Sequence, residues 1–451
     1  MVAATATTLA ALKANAGPLD DPHVGDTGFS GPTTGDLTAV YWNPAGLGLL
    51  QGPQLMLSGS LHTTSASVAP QDGTATARGS ATTHPFRSPF VPGSFFAIGA
   101  GIGHRFGIAV ALYSPFSTRL DMPSDASTRY HLVNMRLDHI ALTPGIAIHA
   151  SDSIQLGVAS GFLFPTAHMV FDEPSPALAS SARYDVATSG VIAPSVFLSV
   201  GADYRRGRFA LGIAYTSAPL GQGGAMNLPL DQVRIDGTGD HALCSEGHPD
   251  CLYGQMSYRL PSIYSIGSSW QASRRWSVTG MVRWLRYSGH DKVSILISGP
   301  GSQETLGPVV PDHIVLYRGF VDSLDMRGRV VFDNKHFRAS GTFRVETSAV
   351  PASHVNPAAI DGTKLEPSVA AEMHLWRQIR IGASYAFRWM LPVDTGDSVF
   401  DPTATAACDA ARGDLATPAC RARMDGQARP SAAGTYHMWQ QTLTVYTTVG
   451  L

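Results

Sequence analysis

The chain has 451 residues, of which 15% are charged and 44% hydrophobic; soluble domains of this size carry roughly 25% charged residues. A net charge of −2 and no sustained basic stretch exclude nucleic acid as a partner. No segment approaches the ~18 consecutive apolar residues of a membrane-spanning helix, since FFAIGAGIG (95–103) stops at His104 and Arg105.

The N-terminus, MVAATATTLAALKANA, lacks a basic leader and is interrupted by Lys13, so it does not read as a complete signal peptide despite Ala14-Asn15-Ala16. Residues 37–50, LTAVYWNPAGLGLL, combine an aromatic pair with an Asn-Pro-Ala-Gly turn and a Leu/Gly run. Beyond them the dominant hydrophobic period is two: FGIAVALY (106–113), HIALTPGIAIHA (139–150), SIQLGVASGFLF (153–164), RFALGIAYTS (208–217), YSIGSSW (264–270), WSVTGMVRW (276–284) and IRIGASYAFRWM (379–390). That period predicts half-buried strands in series. Large aliphatic and aromatic side chains occupy one face, while Gly, Ala, Ser and Thr occupy the other. A soluble sheet shows water a charged face, whereas a transmembrane barrel turns bulky residues to lipid and small ones to its lumen. Trp270, Trp276, Trp284, Trp376 and Trp389 fall at or near strand ends, as an interfacial aromatic girdle requires.

Short links such as RRGR (205–208) and WRQ (376–378) alternate with long polar stretches at about 65–90, 117–137, 171–188, 218–256, 289–312 and 395–433. Short turns at one end and long loops at the other form the outer-membrane pattern. The four cysteines pair locally, Cys244 with Cys251 and Cys408 with Cys420, which reads as two disulfide-closed external loops. The rival reading of the first pair is a metal site with Glu246, His248 and Asp250, but its spacing is not a usual zinc spacing. The histidines are scattered, and no Walker loop, Gly-x-Ser-x-Gly elbow or His-Glu-x-x-His motif occurs. No enzyme, cofactor or metal is therefore expected. GAGIGHRFG (99–107) breaks the dinucleotide-binding spacing and sits between two strand-like runs. Its Gly99, Gly101, Gly103, Phe106 and Gly107 form either a strand kink or an ordinary turn. Arg283, Arg286 and Arg388 lie on or near small-residue faces. There they either pair with lumenal carboxylates or meet the anionic head of a substrate.

Several ordered segments resemble the outer-membrane long-chain fatty acid and hydrocarbon transporters of the FadL/TodX type. They are GDTGFSGPTTGDLTAVYWNPAGL (25–47), FVPGSFFAIGAGIGHRFGIAVALYSPFSTRL (90–120), NMRLDHIALTPGIAIHASDSIQLGVASGFLF (134–164) and SVFLSVGADYRRGRFALGIAYTSAPL (195–220). The most specific are LPSIYSIGSSWQASRRWSVTGMVRWLRYS (260–288) and PSVAAEMHLWRQIRIGASYAFRWMLPVDTG (367–396). The resemblance implies an all-β, transmembrane antiparallel barrel of about 14 strands, residues 54–451, plugged by a small N-terminal hatch, residues 1–53. It further implies passive uptake of hydrophobic molecules through a lumenal site, with sideways exit beside a kinked strand in the 90–120 region. Asn43, Pro44 and Ala45 would pack against that kink, with Asn43 bonding the backbone freed there and Gly46 small enough to approach the wall; the alternative is an ordinary β-turn before the first strand. The expected partners are fatty acids, lipids or aromatic hydrocarbons and outer-membrane lipid, with the chain a monomer. The sequence departs from the family near its end. Only TYHMWQQTLTVYTTVGL (435–451) reads as a strand after Pro392-Val393, while the longer 289–360 region contains the strand-like RVVFDNKHF and GTFRVET. An even count of 12 to 14 strands follows, with 14 preferred. The competing reading is a structural or adhesive barrel acting through its disulfide-closed loops, and a third is a secreted soluble β-protein.

Overall fold

The alternating segments pair edge to edge until no edge remains. The computed structural model describes residues 25–71, 84–103, 105–122, 124, 127–174, 181–188, 194–220, 225–230, 232–236, 253–298, 313–375, 378–400, 407, 408, 411, 417–424, 426, 429 and 431–451. In chain order its strands begin with β1 (Pro53–Pro70), β2 (His84–Ile102), β3 (Phe106–Asp121), β4 (Asn134–Ser151), β5 (Ile154–Pro174), β6 (Ser181–Ala187) and β7 (Ser195–Arg206). There follow β8 (Phe209–Thr216), β9 (Ala225–Leu230), β10 (Gln232–Asp236), β11 (Tyr253–Arg259), β12 (Ser262–Gln271) and β13 (Trp276–Arg286). The rest are β14 (Lys292–Ser298), β15 (His313–Tyr317), β16 (Ser323–Asp333), β17 (Phe337–Glu346), β18 (Lys364–His374), β19 (Ile379–Thr395) and β20 (Gly434–Gly450).

Fourteen of them, β1–β5, β7, β8, β12, β13 and β16–β20, form one closed antiparallel barrel. The ring closes through β5 and β7, from Ile154↔Tyr204 to Leu163↔Ser195, and through β1 and β20. Closure removes the unpaired edge that would otherwise cost backbone hydrogen bonds in lipid. The count of 14 and the single final strand, β20, agree with the sequence reading. RVVFDNKHF supplies the end of β16, to Asp333, and the start of β17, at Phe337, and GTFRVET falls in β17 as far as Glu346; between them Asn334 Oδ1 accepts the backbone N–H groups of His336 and Phe337 and turns the hairpin.

Side-chain exposure follows the two-residue period. Phe209, Ile213, Tyr385 and Trp389 are exposed, whereas their neighbours Ala210 and Ala386 are buried. Trp270, Trp276, Trp284, Trp389 and Trp439 are all exposed on the outer face; Trp376 lies outside the described residues. No helix among the described residues is long and apolar enough to cross a membrane.

The long stretches are not all loop. β9, β11, β14 and β15 form a separate four-stranded sheet at the long-loop end, and β10 pairs with β6, which extends the upper half of β5. Residues 218–256 and 289–312, expected as polar loops, thus contribute β9, β10, β11 and β14. Met226, Leu228, Met256, Ile295 and Ile314 supply the buried face of that small sheet.

Candidate functional site

Residues 25–50 lie against the inner face of the barrel and are mostly buried. A short helix, Ala39–Trp42, leads through Asn43 into a 3-10 turn, Pro44–Leu49. Pro44 stands at the first position of that turn, where its missing N–H costs nothing. Asn43 caps it, since its Oδ1 accepts Ala45 N–H at 3.1 Å.

The wall meets this segment through a row of glycines. A Cβ on Gly101 would collide with Leu50 O, on Gly107 with Leu47 O, on Gly157 with Pro44 and Ala45 N, and on Gly212 with Pro32 O. On Gly201 it would collide with Asn43 Oδ1, while Gly145 and Gly267 touch the side chains of Leu47 and Pro32. Seven successive barrel strands, β2, β3, β4, β5, β7, β8 and β12, therefore each present a glycine to residues 32–50. Gly46 is small for an internal reason, because a Cβ there would strike Thr34 O.

Two sequence expectations change here. The pairing of β2 with β3 is unbroken from Ile102↔Phe106 through Gly101↔Gly107 and Gly99↔Ala109 to Phe95↔Tyr113, so no bulge occurs at these glycines. Gly101 and Gly107 admit the N-terminal segment, Gly103 takes the positive φ of the turn, and Phe106 faces outward. Asn43 Nδ2 donates to Pro32 O at 2.7 Å and to Ala202 O at 3.1 Å, so its wall partner belongs to β7 and not to the 90–120 region. Gly201 beside Ala202 is what lets the amide come that close.

The irregularity lies further along the same strands. Among the described residues, β2–β3 pairing stops at Phe95↔Tyr113 and resumes at Arg87↔Asp121. β3 also shifts register against β4 between Tyr113 and Phe116. Pro89 and Pro92 in β2 and Pro115 in β3 have no N–H to give a ladder, which accounts for the break.

Behind this break is a narrow apolar cavity, about 30 Å3 in enclosed volume and about 610 Å3 when all the open space at its mouth is counted. Trp42 and Val40 of the short helix form one side, and Phe116, Leu163, Phe197 and Ile263 form others. Tyr113 and Pro115 line it beside the break, and Arg283 sits at its edge. Tyr41 packs edge-on against Trp42 and Tyr113 with ring centres 5.1 and 5.5 Å apart.

The opposite wall is charged. Asp325 receives Arg344 at 2.7 Å, Arg327 at 3.1 Å and Arg283 at 3.4 Å. Arg344 continues to Glu346 at 2.6 Å, and Arg388 pairs with Glu366 at 2.6 Å and lies 3.8 Å from Glu346. Lys364 links this row to Asp361 at 2.7 Å, and Arg327 reaches Asp26 of the N-terminal segment at 2.8 Å. Two cations approach the Trp42 ring, Arg283 at 5.2 Å and Arg327 at 5.0 Å. Arg283 and Arg388 thus both point inward into ion pairs, whereas Arg286 is exposed. The acids and the remaining cations were legible in principle. Asp325, Arg327 and Arg329 recur every second residue on the face opposite Leu324, Met326 and Val330.

Above the cavity, His139 shares a 2.6 Å hydrogen bond with Tyr258 of the small sheet. His290 bonds Arg259 O and packs on Phe320 with ring centres 4.9 Å apart. Burial, opposed by that hydrogen bond and aided by Arg318 and His139, lowers His290 to about 4. Cys408 forms a disulfide with Cys420, which lies in the short helix Pro418–Met424. Cys244 and Cys251 lie outside the described residues. Among the described residues no group of His, Cys, Asp and Glu is arranged to hold a metal.

A closed fourteen-stranded ring, bulky outside and filled within, defines a transmembrane β-barrel. Residues 12–308 match the family profile of outer membrane protein transport proteins (OMPP1/FadL/TodX). The chain belongs to that family, and it is an outer-membrane transport barrel, not an enzyme. Among solved structures, a Pseudomonas aeruginosa FadL homologue superimposes with a TM-score of 0.71 at 14% identity, over 97% of this chain and 99% of that one. The P. putida toluene transporter TodX gives 0.63 at 13% identity, over 92% of this chain and 94% of that one. The CymD monoaromatic hydrocarbon channel gives 0.60 at 11% identity, over 97% and 98%. A search of curated protein sequences returned no match.

Proposed function

We propose that this chain takes up hydrophobic compounds, long-chain fatty acids or related lipids and hydrocarbons, by passive diffusion. In this reading residues 25–53 are the hatch, the apolar cavity is the binding site, and the β2–β3 break is the lateral exit. The carrying observation is that Tyr113, Pro115 and Phe116 belong at once to the cavity lining and to the break in the wall. A hydrophobic solute gains about 25 cal/mol per Å2 of apolar surface kept from water. A site opening sideways to lipid preserves that gain, while a water-filled pore forfeits it. The toluene and monoaromatic hydrocarbon channels that share the fold support this substrate class.

Exit is tested by closing it. Ser94 and Ser114 are next in register beyond Phe95↔Tyr113, so Ser94→Cys with Ser114→Cys, once oxidised, bridges the break. Uptake of labelled fatty acid or toluene into proteoliposomes should stop and return on reduction, while binding in detergent persists. Undiminished uptake in the bridged protein would overturn lateral exit. Absence of saturable binding by the unmodified protein would overturn the transport reading itself.

A further inference from the structure

A second cavity lies beneath residues 29–36, toward the short-turn end, with about 1260 Å3 including its open mouth. It contrasts with the first in chemistry. Ser269, Gln271, Ser277 and Thr279 line it, and Arg205, Arg208, Arg329, Arg338 and Arg380 converge on it from five strands or strand ends. Asp36 is the carboxylate among the lining residues, and it accepts both the N–H and the hydroxyl of Thr38.

Most of these cations have nearby carboxylates. Arg205 meets Asp203 at 2.7 Å, and Arg338 meets Asp333 at 3.1 Å. Arg338 and Arg380 share Glu372, at 3.8 and 3.9 Å. Arg329 differs. It is 6% exposed, it donates through Nε to Thr342 Oγ1 at 3.2 Å, and among the described residues no carboxylate stands at ion-pair distance from it. A buried guanidinium offers a planar fork of donors that matches an oxyanion. Its fork is oriented by Thr342 and its cavity opens outward from the barrel.

We propose that this polar cavity is an oxyanion site, in which Arg329, supported by Arg338 and Arg380, binds a carboxylate or phosphate group entering from the periplasmic side. The site is separate from the apolar one, so one barrel carries a hydrophobic site above the N-terminal segment and an anion site below it. Arg338 also lies 4.3 Å over the ring of Phe29, which brings the N-terminal segment into contact with the anion site.

The test is calorimetric titration of the full chain in detergent with inorganic phosphate and, separately, with butyrate at constant ionic strength. Saturable binding is expected, and Arg329→Gln should weaken it about tenfold or more, the loss of one charged hydrogen-bonding partner. Arg274→Gln, at an exposed position outside the cavity lining, should change it by less than about twofold. Heat-modifiable gel mobility verifies that each variant is folded. Should Arg329→Gln fail to insert, Thr342→Val retains the charge but removes its orienting oxygen, and weakening of about threefold is expected. Absent saturation, or binding indifferent to both variants, would overturn the proposal. The chain's own Asp20 and Asp21 are the other source of carboxylate. Phosphate binding about tenfold tighter in Asp20→Asn with Asp21→Asn would make them the occupants and overturn a diffusible ligand; unchanged affinity supports it. Hydrophobic uptake reports on the other cavity, so its loss or survival leaves this result independent.

Discussion

From β2 round to β12 the barrel wall presents a glycine to residues 32–50 on every strand, backbone against backbone at Gly101, Gly107, Gly157 and Gly212 and against side chains at Gly145, Gly201 and Gly267. From β13 round to β19 the same lumen is bounded by Arg283, Asp325, Arg327, Arg344, Glu366 and Arg388, paired end to end. The first arc works by shape and leaves no volume for a methyl group. The second works by charge, and each member depends on its neighbours because a buried ion without a partner is strongly destabilising. Trp42 touches both arcs: it lines the apolar cavity, and Arg283 and Arg327 both approach its ring. The comparison shows two ways of fixing a buried segment inside a ring. One tolerates no added atom, and the other tolerates no lost charge.

The charged arc should show the larger effect. Asp325→Asn leaves Arg283, Arg327 and Arg344 without their shared carboxylate. It is expected to destabilise the folded barrel by about 3–5 kcal/mol in urea unfolding from detergent. Isosteric Asn isolates charge from volume, so near-wild-type stability would break the distinction. On the glycine arc, Gly157→Ala inserts a Cβ into Pro44 and Ala45. A cost of about 1–3 kcal/mol is expected from overpacking, together with easier proteolysis of residues 25–50. Asn43→Ala removes the donors to Pro32 O and Ala202 O and the acceptor for Ala45 N–H at a fully buried site. About 1–3 kcal/mol should be lost in the same assay.

A pH test distinguishes the loop end from both arcs. The His290 value is lowered in the fold, so its contribution is complete above about 6.5 and is lost as pH falls through about 4. Amide exchange near Tyr258 and Arg259 should accelerate across that window, while exchange in β13 and β16 does not follow the His290 titration. The smallest effect is expected at Gly280, where a Cβ meets nothing within 4 Å. Gly280→Ala should shift stability by less than about 0.5 kcal/mol, which makes it the matched control for Gly157→Ala.

The strand faces were legible because lipid and lumen impose opposite demands on alternate residues. Phe209, Ile213, Tyr385 and Trp389 follow that rule without exception in the structure. The inward direction of Arg283 and Arg388 followed from the same alternation, but their partners did not. Asp325 lies on a neighbouring strand 42 residues from Arg283, and pairing across strands is set by register, which no local pattern reveals. The glycines of 99–107 were visible, yet glycine in a strand signals either weakened pairing or close approach. Here Leu47 O and Leu50 O decide for close approach, while three prolines mark the true break. The sheet of β9, β11, β14 and β15 was obscured because its strands are short and embedded in polar sequence.

The glycine row has a genetic consequence. Every missense change of a glycine codon adds at least a Cβ, so the five codons of Gly101, Gly107, Gly157, Gly201 and Gly212 form a set in which no single-residue replacement preserves the contact. Recovery at these positions would require a compensating change in residues 32–50, which meet several strands at once. A map of tolerated substitutions drawn around the ring should therefore be lopsided. It should be nearly blank at the inward glycines of one arc and permissive at the outward Gly280, Gly328 and Gly341 of the other.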